Sequence, residues 1–209
     1  MTIAQKLRTL VQSDRILSTL QSLEEVYAAL EEEQKKWIEA SPFRCPVGCG
    51  RCCERFVPDM WEIEALYIAG QLLIEGRDSL FQPSQSFPCP LYRAEGEFHC
   101  TVYETRPLVC RVFGFAGDRD KWGHLRYAPC RHMALEEGQQ VVSTSKMWTE
   151  QELVKRFAAL PPDMTLFARR VQAIEPSWAI EREPLDTALP KALMKLRLYA
   201  WFSSPDKAA

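Results

Sequence analysis

Residues 45–53 read Cys45-Pro46-Val47-Gly48-Cys49-Gly50-Arg51-Cys52-Cys53, four thiols in nine residues with a glycine on each side of Cys49. A gap of two or three residues lets a tight turn aim successive sulfurs at one point. Glycine permits the backbone angles such a turn needs, and the peptide N–H groups beside it can approach the sulfurs and stabilise thiolate charge. Four more thiols follow singly at Cys89, Cys100, Cys110 and Cys130. Eight buried thiols acting as small hydrophobes would need no glycine-punctuated spacing. The cysteines are therefore read as metal ligands, all eight of them.

The compartment supports that reading. The chain has 209 residues, 46% of them hydrophobic, and a formal net charge of −2. This is enough to build a core without disulfide staples. The balance of charge gives no field suited to nucleic acid. No run approaches the ~20 apolar residues of a membrane helix. The most apolar window, Leu66 to Ile74, is short and broken by Gly70 and Gln71. The start of the chain lacks the apolar centre of a secretory signal, with Arg8, Gln12, Asp14 and Arg15 close behind Lys6. A cytoplasmic location follows. In a reducing cytosol clustered cysteines are more often metal ligands or redox groups than disulfides.

Working outward, composition divides the chain in three. Residues 1–40 contain no Pro, Gly or Cys, and Leu7, Leu10, Leu17, Leu20, Leu23, Val26 and Leu30 recur at helical spacing. Ser13 or Ser22 can start a second helix there, and Glu31-Glu32-Glu33 reads as a solvated face. Residues 41–135 hold every cysteine and histidine. One helix is expected after Asp59, with Glu62 as a capping partner and Gly76 as its stop. Short strands are expected at Phe98–Tyr103 and Leu125–Tyr127. Residues 136–209 return to helix. Thr149 with Glu152 forms a capping box, Pro161-Pro162 stops that helix, and two more follow at Met164–Ile174 and Leu189–Phe202. The last is basic and amphipathic through Lys191, Lys195 and Arg197. Docking on the core or on a second subunit explains it better than a membrane surface. The expected fold is mostly α with little β: a small irregular cysteine-rich metal-binding core flanked by N- and C-terminal helices.

Two occupants suit the thiols. Zinc sites are commonly built from two paired knuckles, whereas Cys89, Cys100, Cys110 and Cys130 are separated by ten, nine and nineteen residues. Several ligands in one loop with others from afar is a common iron–sulfur pattern, so an iron–sulfur cluster is favoured over zinc. Cys45, Cys49 and Cys52 also have the CxxxCxxC spacing of radical enzymes that cleave S-adenosylmethionine. Arg51 stands where an aromatic is expected, however, and no repeated strand–helix pattern follows to build their barrel. Side chains of adjacent residues diverge in most conformations. Cys52 and Cys53 can thus be split between two centres, or be one ligand and one structural thiol, or include a redox partner for a distant cysteine.

Several neighbours have readings of their own. Pro107 suits the start of a short helix carrying Cys110 and Arg111. Arg106 and Arg111 can offset thiolate charge and bond to sulfur, which makes them candidate cofactor-binding residues. Tyr103 can pack over the site. His99 and His132 lie beside cysteines but are not needed where eight thiols are present, and His124 has no local support. No phosphate loop, dinucleotide fingerprint or nucleophile elbow is found, and no catalytic set can be assembled.

The ordered set Cys45…Cys49-Gly-Arg-Cys52-Cys53, Cys89-Pro90-Leu91, Cys100-Thr-Val-Tyr103-Glu-Thr-Arg106-Pro107-Leu-Val-Cys110-Arg111-Val-Phe113 and Cys130 resembles the CxxCxxCC (YkgJ-type) family over residues 45 to about 135. Three residues separate Cys45 from Cys49, where the family name implies two. The resemblance implies a domain that chelates zinc or iron. The same cluster occurs in flagellin lysine N-methylases, which are longer proteins. Two classes of function follow. The first is a metal-binding accessory or electron-transfer module with an unidentified protein partner. The second is a redox or methylation-related enzyme that uses the metal centre or a reactive thiol.

Overall fold

A computed structural model describes residues 1–78, 89–95, 99–135 and 146–203. Among them the chain is mostly helical, with seven α-helices and short two- or three-residue strands. Helix α1 spans Ile3–Leu7 and α2 spans Asp14–Ala40. Of the two candidate starts, Ser13 is used: its hydroxyl accepts the Ile16 N–H. Leu17, Leu20, Leu23, Val26 and Leu30 are buried on α2, whereas Leu10 is exposed in the turn between the helices.

Helix α3 spans Glu62–Ile74. Its capping residues lie two positions beyond the sequence expectation. Glu64 reaches back to the Trp61 N–H at 2.9 Å. Asp59 instead lies in strand β2 (Asp59–Met60), whose antiparallel pairing with Glu183–Pro184 draws its backbone out of a helix start. The C-terminus closes as expected at Gly76, in the left-handed region at φ 62°. The Arg77 N–H bonds to Leu72 O and the Gly76 N–H to Leu73 O.

Helix α4 is one short turn, Leu108–Val112, with Pro107 just before it. Helix α5 spans Glu150–Arg156 behind the Thr149/Glu152 capping box. It ends at Phe157, earlier than the Pro161-Pro162 stop predicted. Helix α6 spans Met164–Ile174, with the Asp163 carboxylate accepting the Thr165 and Leu166 N–H groups. Helix α7 spans Leu185–Ser203. It begins four residues before Leu189 and runs through Pro190, because the Leu185 N–H is held by Pro58 O beside the β2 pairing.

Strand β1 (Phe43–Arg44) pairs with β5 (Ala134–Leu135), β2 with β7 (Glu183–Pro184), and β4 (Leu125–Tyr127) lies between β3 (Asp118–Arg119) and β6 (Trp148–Thr149), all antiparallel. The strand at Leu125–Tyr127 was expected. The one expected at Phe98–Tyr103 is not found among its described residues: Cys100 makes a single bridge to Tyr92, and Tyr103–Thr105 is a 3-10 turn. Phe98 lies outside the described residues.

The main core joins α1, α2, α3, α6 and α7 with Cys89, Leu91, Tyr92, Val102, Leu108 and Val112 of the cysteine-rich stretch. A second core is aromatic, with Trp37, Phe43, Tyr127 and Trp148 buried together. The basic residues of α7 are held in ion pairs: Lys191 with Glu183, Lys195 with Glu62 and Arg197 with Asp78. The helix packs on α3, and its Leu185, Leu189, Leu193 and Leu196 are buried. No described helix is long and apolar enough to cross a membrane.

Candidate metal centre

The thiols come from five separate pieces of chain, and each piece is shaped by local bonding. In residues 45–53 two successive turns form, with the Cys49 N–H bonded to Pro46 O and the Cys53 N–H to Gly50 O. Gly50 has φ 53°, a left-handed conformation that costs other residues roughly 1–2 kcal/mol. Cys89 and Cys100 are brought together by the bridge between Tyr92 and Cys100 and by the Thr101 N–H bonding to Leu91 O. Cys110 rides on α4. Cys130 begins a turn closed by the Met133 N–H. The β1–β5 pairing draws the two ends of the stretch together, setting Phe43 opposite Leu135 and Arg44 opposite Ala134. The first and last cysteines thereby meet in one place.

All eight thiol residues line a single cavity of about 300 Å³. Its other walls are largely apolar, including Val47, Leu91, Val102, Phe113, Phe115 and Leu185. Among the described residues, no group of three or more Cys, His, Asp or Glu side chains is set to hold an ion. The thiols share the cavity without closing on one point. Two neighbours nonetheless stand close: Cys52 Sγ and Cys53 Sγ are 3.9 Å apart, although adjacent side chains were expected to diverge. Sulfurs bound at about 2.3 Å to one tetrahedral ion stand roughly 3.8 Å apart, so this pair already has the spacing of a shared ion.

The electrostatics show what so many thiols need. Burial, then the neighbouring Cys49, push Cys45 up to about 11. Burial also raises Cys100 and Cys110. Hydrogen bonding among Cys52, Cys53 and Cys89 pushes Cys53 up and brings Cys52 down to about 6 and Cys89 to about 7. Eight thiolates cannot coexist in one cavity without a compensating cation, and a metal supplies that charge as it displaces the protons. The donor set therefore fits a soft metal or an iron–sulfur core.

Arg106 lies in the cavity wall, stacked 3.6 Å over the Tyr103 ring with its Nε donating to Tyr103 O. Its charge acts to lower Cys52, Cys100 and Cys110. Arg111 is placed elsewhere. It is 6% exposed, ion-paired to Glu31 at 2.6 Å, and donates to Arg106 O and Glu104 O. Glu31 is thus bonded to the cysteine-rich stretch, while Glu32 is exposed and Glu33 half-buried. His99 Nδ1 sits 3.0 Å from Arg93 O and the ring stacks on Tyr92. His132 bonds to Arg131, and His124 lies on an exposed turn beside Asp120.

Residues 44–141 match the CxxCxxCC family, described as a "putative zinc- or iron-chelating domain". This segment is similar to a CxxCxxCC domain. Searches of curated proteins and of solved structures return no match for the chain. Within the matched residues the clustered cysteines 45, 49, 52 and 53 line the same cavity as the four distant thiols.

Reading the cysteines alone misses Glu64, the buried carboxylate beneath α4. Its signal in the sequence is a lone acid at the second position of the otherwise apolar run Ile63–Ala69.

Proposed function

We propose that the cysteine cluster holds one or more iron–sulfur centres, each taking four thiols, and that the chain is a cytoplasmic accessory or electron-transfer module working with a protein partner. The observation that carries this reading is the shared cavity: eight thiols around about 300 Å³, without three of them focused on one ion. A single zinc ion asks for four donors closed around one point. A core of several iron and sulfide atoms spans a wider space and is reached by thiols from separated segments. Cys45, Cys49, Cys52, Cys53, Cys89, Cys100, Cys110 and Cys130 are the proposed ligands, and Arg106 the residue that offsets their charge. The bound group would supply one-electron redox capacity, while the chain's own part is to place the thiols and exclude water. Residues 41–135 form the metal-binding unit in this reading, with 1–40 and 136–209 as its helical support.

The test is metal and acid-labile sulfide analysis, with an absorbance spectrum, on protein purified without oxygen. A brown protein absorbing near ~400 nm and containing iron and sulfide supports the cluster. A colourless protein with stoichiometric zinc replaces it by a structural or zinc-handling role. Eight free thiols without metal would remove the metal reading altogether.

The apolar wall favours a second reading as an enzyme, redox or methylation-related. About 300 Å³ is the lower end of the size range of small-molecule sites. Leu91, Val102 and Phe115 line space that an inorganic group alone does not require. Substrate-dependent change in the spectrum of the loaded protein would separate this from a pure electron carrier.

A further inference from the structure

Glu64 is 2% exposed, on the stretch of α3 where Ile63, Ala65, Leu66 and Tyr67 are also buried. A carboxylate there needs several donors to offset its lost hydration. Three are present. Oε2 accepts the Trp61 N–H at 2.9 Å, and Oε1 accepts the Tyr27 hydroxyl at 2.8 Å and the Leu108 N–H at 2.6 Å.

Leu108 is the first residue of α4, and Cys110 is two residues further on. A helix of five residues cannot hold itself in place, since its nucleation is unfavourable and its first N–H groups have no partner within it. Its position must come from outside. Glu64 holds the N-terminal end. The other end is held through Arg111, whose guanidinium lies 4.2 Å over the ring of the same Tyr27 that bonds to Glu64. Arg111 also pairs with Glu31, and Gln34 Nε2 donates to Arg111 O at 2.6 Å. The chain of contacts from Leu108 through Glu64 and Tyr27 to Arg111 closes on α4 at both ends.

We propose that Glu64 is a positioning residue of the metal centre, which seats α4 so that the Cys110 thiol faces the cavity. The proposal rests on the metal reading above for its purpose, but the seating of Cys110 can be measured without any metal. Glu64→Gln keeps the size of the side chain but turns an N–H group toward one of the three donors.

In metal-free protein, alkylation by iodoacetamide is followed cysteine by cysteine by mass spectrometry. Cys110 is expected to react about tenfold faster in Glu64→Gln, with Cys45 and Cys52 unchanged. When Zn²⁺ is titrated back, affinity is expected to fall about tenfold, and adding Cys110→Ser to Glu64→Gln should produce little further loss. Glu62→Gln, on the same helix and bonded to Lys195, should leave Cys110 protected.

An equal rise at all eight thiols, or full additivity with Cys110→Ser, would overturn the proposal and make Glu64 a general stabiliser. Should Glu64→Gln not fold, Tyr27→Phe removes one donor while keeping the ring under Arg111. A selective, smaller rise at Cys110 then supports the proposal, and unchanged Cys110 protection overturns it. Wild-type protein that binds no metal would defeat the functional reading, while the alkylation pattern would still decide whether Glu64 seats Cys110.

Discussion

At the scale of single residues, the thiols divide by chemistry rather than by access. Cys45 and Cys52 are both exposed, yet burial of the sulfur and the nearby Cys49 hold Cys45 up at about 11, while the hydrogen bond with Cys53 brings Cys52 down to about 6. The thiolate is the reactive form. In metal-free protein Cys52 is therefore the more readily ionised of the two. Iodoacetamide should label Cys52 long before Cys45, with a rate that rises through pH 6 and then levels. The lower intrinsic nucleophilicity of a low-pKa thiolate reduces the gap without closing it. Equal labelling of the two at pH 7 would show that Cys52 and Cys53 are not hydrogen-bonded in solution. Cys53, which hydrogen bonding with Cys52 and Cys89 pushes up, should react slowly. Loading with metal should protect Cys52 and release protons chiefly from the raised thiols, so acid should strip the metal.

At the scale of elements, the loop 45–53 depends on its contact with the segment carrying Cys100. A Cβ added to Gly50 would lie 2.7 Å from His99 Cδ2 and 2.9 Å from its Cβ. His99 itself holds φ 51°, rare for a non-glycine residue and a mark of a constrained site. Gly50→Ala should therefore lower stability and metal content together. Gly123, at φ 88° with nothing within 4 Å of an added Cβ, is the control. Gly123→Ala should lose only the roughly 1–2 kcal/mol of a left-handed backbone and keep its metal. If the two variants retain metal equally, the Gly50–His99 contact does not position the loop.

Elements with local chemistry were legible in the sequence: the Ser13 cap, the Thr149/Glu152 box and the limits of Met164–Ile174 all follow from side chains within a few residues. The β1–β5 clasp was not, since two-residue strands carry no alternation to read. Nor was the displaced cap of α3, where Asp59 is claimed by a partner more than a hundred residues away. The cysteine spacing announced a metal site. That all eight thiols share one cavity depends on these distant pairings, and so does the burial of Glu64.

At the scale of the molecule, composition divides the chain in three, whereas the main core takes residues from all three stretches. Leu185 makes the link concrete. It begins α7, is 1% exposed, and also lines the thiol cavity. Leu189, one turn on, is fully buried where α7 packs on α3, the helix that carries Glu64. Leu189→Ala should cost about 2–5 kcal/mol, a transfer loss plus a cavity, out of a total stability of only about 5–15 kcal/mol. If the thiol site and the C-terminal helices unfold as one unit, that loss must appear at both. Guanidinium denaturation of metal-free protein, followed by helix circular dichroism and by thiol labelling in parallel, should give coincident transitions that shift together in Leu189→Ala. Separate midpoints, with helix lost while the thiols remain protected, would mean that the cysteine-rich stretch holds its shape alone. In that case α7 would be an attachment rather than part of the wall around the metal site.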